Sequence, residues 1–84
     1  MLYFRNMASP IRLTREEIKH LVFGLKGTLD EDQRALIRET LEKLAHSSDG
    51  HISPEELQKA LRRLHEEHRL SQFELDAVTR AVFP

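Results

Sequence analysis

Cysteine is absent from this chain, which removes disulfides, thiolate zinc sites and thiol nucleophiles from consideration and leaves the redox compartment open. Long apolar runs are absent as well. The longest, Leu2 to Phe4 and Leu21 to Phe23, fall far short of the about 20 residues that cross a bilayer, and no signal-peptide pattern precedes them. Glycine and proline are scarce, at 3 each, so the chain reads as ordered and helical rather than as a linker or a disordered tail. Charge of one sign is missing too: 13 Lys and Arg face 14 Asp and Glu. The densest basic group, Lys59, Arg62, Arg63 and Arg69, is diluted by Glu55, Glu56, Glu66 and Glu67, the pattern of a solvated helix face rather than a nucleic-acid footprint. The default expectation is a cytoplasmic protein without a membrane span.

What is present is helical periodicity. At 84 residues the chain has room for one domain, and a deep catalytic cleft is hard to build at a size that buries only about 60% of its unfolded surface. Four capping-box patterns, Thr14 with Glu17, Thr28 with Glu31, Ser53 with Glu56 and Ser71 with Glu74, each stand ahead of an apolar repeat of helical period. The expected helices run over about 15–26, 29–45, 54–68 and 72–83. The first carries Ile18, Leu21, Val22 and Leu25 inward, with Gly27 supplying a left-handed turn at its end. The second buries Leu36, Ile37, Leu41 and Leu44; the third, opened by Pro54 at the favoured first position, buries Leu57, Ala60, Leu61 and Leu64. For the fourth, Phe73, Ala77, Val78, Ala81 and Val82 point inward. The fold class expected is all-α, a compact four-helix domain over residues 13–84, with residues 1–12 left as a flexible leader in which Leu2, Tyr3 and Phe4 are free to dock on a neighbour. No sheet is expected beyond a two- or three-residue extended piece at Ile52.

Between the second and third expected helices lies the segment Ala45-His46-Ser47-Ser48-Asp49-Gly50-His51-Ile52-Ser53-Pro54-Glu55-Glu56. With Gly50 at the sixth position it resembles the twelve-residue ion-binding loop of the EF-hand family: Asp49 falls at position 5, Ile52 at the apolar position 8, Ser53 at 9 and Glu56 at 12. Leu44, Leu41 and Ile37 before the loop, and Leu57, Ala60, Leu61 and Leu64 after it, match the apolar positions of that family's flanking helices, so the resemblance covers residues 36–64. It departs from the pattern at position 1, where Ala45 has no side-chain oxygen, and at position 3, where Ser47 replaces a carboxylate or amide. The resemblance thus implies one degenerate, EF-hand-like helix-loop-helix. A weaker similarity links the Asp-Gly and downstream Glu-Glu-Leu to the tellurite-resistance class of small helical domains.

The resemblance implies a calcium or other metal site, if one operates, formed by Asp49, the backbone carbonyl of His51, Ser53 and Glu56; with so few charged donors the expected cofactor is none, or calcium held weakly. Such hands pair in twos through position 8, and only one loop is present here. Either the first and fourth helices cover the apolar face, or a second copy does, as a homodimer. The function expected from the family is a non-catalytic protein-binding or regulatory module. It would take an amphipathic helix of another protein in the groove between the second and third helices, along Leu41, Leu44, Leu57, Leu61 and Leu64; the alternative is a weak ion-responsive sensor. Among the histidines, His65 and His68 are spaced i, i+3, unlike the i, i+4 pair of a metalloprotease helix, and read as surface residues, while His46 and His51 read as solvated loop residues. No phosphate-binding glycine loop and no nucleophile in a recognisable setting is present, so an enzyme is not expected.

Overall fold

A computed structural model of the chain describes residues 10–83. In order along the chain it contains β1 (Ile11–Arg12), α1 (Arg15–Phe23), α2 (Glu31–Ser47), β2 (His51–Ile52), α3 (Pro54–Glu66) and α4 (Gln72–Val82). The all-α expectation holds for the four helices. The addition is a two-stranded antiparallel ribbon in which Ile11 lies opposite Ile52 and Arg12 opposite His51. The strand at Ile52 therefore has its partner within the same chain, in the stretch expected to be a flexible leader. Docking of Leu2, Tyr3 and Phe4 lies outside the described residues.

Helix starts follow from local chemistry. Thr14 and Ser71 form reciprocal capping boxes with Glu17 and Glu74, each side chain satisfying the other residue's otherwise orphaned backbone N–H. The expected box at Thr28 is not the one that forms. Asp30 caps α2 instead, its carboxylate accepting from the Gln33 N–H at 2.8 Å while the Gln33 side chain accepts from the Asp30 N–H at 3.0 Å. Asp is at least as good an N-cap acceptor as Thr, and Gln serves at the third position as Glu does.

Helix ends depart further from expectation. α1 stops at Phe23, after which Leu25, Lys26 and Thr28 donate to carbonyls three residues back, a run of tight turns that carries Leu25 and Leu29 into the core. No left-handed turn forms at Gly27; among the described residues positive φ occurs at Asp49 (57°), Gly50 (90°) and His68 (63°). Both α2 and α3 close with one motif. Gly50 donates to the Ala45 carbonyl behind Asp49, and Arg69 donates to Leu64 at 2.9 Å behind His68, satisfying carbonyls the helix leaves open.

α1 packs on α2, α4 on α3, and α2 against α3 and β2. Ile18, Val22, Ile37, Leu41, Ile52, Leu57, Leu61 and Val78 sit in the shared core with Leu75 and Val82, and no polar or charged residue is buried among the described residues. Phe73 is the clear correction: it is 72% exposed, and Leu75 takes the inward place on α4. The inward stripe on this helix is Leu75, Val78 and Val82, rotated from the expected one, with Ala77 and Ala81 at its margin.

Candidate functional site

The loop between α2 and α3 begins as a helix end. α2 continues to Ser47, so Ala45, His46 and Ser47, the first three positions of the family register, are helical, and the Ala45 side chain belongs to the core. The Ala45 carbonyl accepts from the N–H of Ser48 at 3.2 Å as well as from that of Gly50. Asp49 then takes a left-handed backbone, exposed at the tip of the turn.

Beyond the turn the chain becomes extended. Leu13 donates to the Gly50 carbonyl at 3.0 Å, and the alternation of an antiparallel ladder then makes Ile11–Ile52 the next bonded pair and directs the N–H and C=O of His51 to the other edge. The His51 N–H indeed donates to the Ser48 carbonyl at 3.1 Å. Ser53 caps α3 by accepting from the Glu56 N–H at 3.1 Å. The Glu56 carboxylate does not return to the cap; it reaches across the loop and accepts from the Ser48 hydroxyl at 3.3 Å. The oxygens on offer, two each on Asp49 and Glu56 with the Ser53 hydroxyl and the His51 carbonyl, reach the lower end of the six to eight a calcium ion takes only if both carboxylates bind through both oxygens. Among the described residues no three His, Asp or Glu side chains gather into a metal-holding group.

The leucines expected to line a partner groove are brought together, but inside the molecule. Leu41, Leu57, Leu61 and Leu64 are buried and Leu44 is half-buried, because α1 and α4 lie over α2 and α3 and Ile11 lies beside Ile52. His65 is half-buried with Nδ1 2.8 Å from the Leu70 carbonyl, whereas His68 stands past the end of α3 in the left-handed position, so the two do not share a helix face.

Two features escaped the sequence reading. Gln33 carries its amide group between two helix starts: its oxygen closes the Asp30 box while its nitrogen donates to the Glu74 carboxylate at 2.9 Å, and that carboxylate also accepts from the Ser71 N–H. The second is a surface cleft of about 350 Å³ between α1 and α2, edged by Phe23, which is 66% exposed and has the Lys26 ammonium 5.5 Å from its ring centre. The only sequence signal for it was Phe23 itself, beside Val22 at the end of an amphipathic repeat. Among the described residues no helix is long and apolar enough to cross a membrane. Comparison of the chain with protein-family models, with curated proteins and with solved structures returned no match.

Proposed function

We propose that this chain is a non-catalytic protein-interaction module, a helical domain with a degenerate EF-hand-like helix-loop-helix that docks on partners through exposed side chains. One observation carries the reading: the apolar stripes of all four helices are consumed in a core without a buried polar residue among those described, while two of the largest apolar side chains, Phe23 and Phe73, remain in solvent. A partner helix entering between α2 and α3 would have to displace α1 or α4 and uncover Leu41, Leu57 and Leu61, whereas the exposed aromatics are available without opening the core. Aromatic anchors of this kind carry a disproportionate share of binding energy at protein interfaces. Selection of random helical peptides against the full chain tests the reading. Enrichment of amphipathic sequences is expected; a selection that enriches none counts against it.

A second reading, a weak calcium- or metal-responsive loop using Asp49, His51, Ser53 and Glu56, has in its favour the Glu56 carboxylate turned across the loop to Ser48. A ligand that binds only the folded state raises the melting temperature. The interaction-module reading expects the same melting temperature in millimolar calcium chloride and in chelator, and a reproducible rise of several degrees with calcium would favour the second reading.

A further inference from the structure

We infer that the cleft between α1 and α2 is a docking site for an acidic amphipathic peptide segment of another protein, an inference that rests on the interaction-module reading and gives it a surface and a partner chemistry. The apolar part of the cleft comes from Phe23 at the end of α1, Val22 beneath it and the exposed Ala35 on α2. Around that strip stand Lys19, Arg34 and Arg38, with Lys26 over the Phe23 ring, against a single lining carboxylate, Glu31. The chain as a whole carries a formal net charge of −1, so this local excess of cations beside an exposed aromatic ring is a segregation of charge.

Arg38 has a carboxylate within reach, Glu42 at 3.5 Å, but that pair is an i, i+4 contact between an exposed guanidinium and a half-buried carboxylate on the helix surface, weak enough to be exchanged for a partner's carboxylate. Lys19 and Arg34 make no ion pair with a described residue. The occupant that complements such a surface places an apolar side chain on Phe23 and Ala35 and carboxylates toward Lys19, Arg34 and Arg38. Residues 1–9 of the chain do not fit that description, since they include Arg5 and no Asp or Glu.

The test extends the peptide selection on the full chain. Random 16-residue helical peptides are selected, and the affinities of the enriched ones are measured by fluorescence anisotropy on the parent and on Phe23→Ser, Phe73→Ser and Lys19→Glu/Arg34→Glu, with unchanged melting temperatures confirming that each variant folds. The expected outcome is enrichment of sequences with an apolar stripe flanked by Asp and Glu. Their affinity should fall at least about tenfold in Phe23→Ser and in the charge reversal, fall about tenfold as salt rises from 50 to 300 mM, and stay unchanged in Phe73→Ser. Enriched peptides that are neutral or basic, or acidic peptides indifferent to Phe23→Ser, would overturn the cleft assignment while leaving the interaction module standing. A selection that enriches nothing overturns both. Tighter Phe23-dependent binding to phosphatidylserine vesicles than to any peptide, or a Phe23-dependent dimer by light scattering, would assign the surface to a membrane or to a second copy and overturn the proposal as well.

Discussion

At Asp49 and His68 the backbone takes the left-handed turn that glycine adopts most cheaply, and both residues do so at the end of a helix whose last carbonyls need that turn. Asp and His are among the few side-chain-bearing residues found there with any frequency. His68 is exposed, so His68→Gly should remove the steric cost of the left-handed turn and raise stability by about 0.5–1 kcal/mol, measured by urea unfolding; an unchanged or lower value would mean that the side chain has a stabilising role there. Phe73 and Leu75 make the opposite comparison. Phe73→Ala should shift stability by less than about 0.5 kcal/mol, as surface substitutions do, while Leu75→Ala should cost about 2–5 kcal/mol because it empties a packed site. Ala45 is a third case. As loop position 1 it would be the natural place to add a ligand, yet its side chain packs in the core. Ala45→Asp should therefore cost about 1–3 kcal/mol with no recovery in calcium; a calcium-dependent recovery would favour the ion-responsive reading of the loop.

Among the elements, the two helix starts joined by Gln33 behave as one unit. Gln33→Glu preserves an acceptor for the Asp30 N–H but exchanges a donor to Glu74 for a second carboxylate, so it should lose about 1 kcal/mol, and more at low salt. Adding Glu74→Gln restores one amide and one carboxylate across the contact. Recovery in the double variant, read as a coupling energy in a double-mutant cycle, is the expected result, and strict additivity of the two losses would mean the contact carries no energy. Three of the four helix starts, at Thr14, Ser53 and Ser71, were legible because an oxygen-bearing residue stands before an apolar repeat. The fourth was misplaced because Thr28 and Asp30 both satisfy part of the rule, and only the buried turn through Leu25 and Leu29 decides between them. On α4 the sequence holds two adjacent apolar rows, Phe73, Ala77 and Ala81 at i, i+4, i+8 and Leu75, Val78 and Val82 at i, i+3, i+7; the expected stripe merged the first row with the two valines around the large Phe73, and the structure buries the second. β1 left almost no trace in the sequence, being two residues whose pairing depends on a strand far along the chain.

For the molecule as a whole, periodicity revealed which helix faces are apolar but not what covers them. Leu41, Leu57 and Leu61 read equally well as a core or as an open groove until α1 and α4 are in place. One continuous core running from Ile18 and Leu29 to Val82 predicts a single cooperative transition. Leu29→Ala, although outside any helix, should lower the midpoint about as much as Leu41→Ala; a far-UV dichroism transition that does not coincide with the loss of amide protection in α1 would indicate separable halves. The ribbon of β1 and β2 has a different consequence, one of timescale. Its strands are about forty residues apart in the chain, yet the ladder is only the two residues of β1 and the Leu13 N–H on the Gly50 carbonyl, short enough to open locally while the helices stay folded. Amide exchange at Leu13 should then proceed through a local opening far shallower than the global unfolding that releases the amides of Ile37 and Leu41. During each such opening Ile52 meets solvent with its strand edge bare, and how often that happens sets the rate at which another extended segment can take the place of β1.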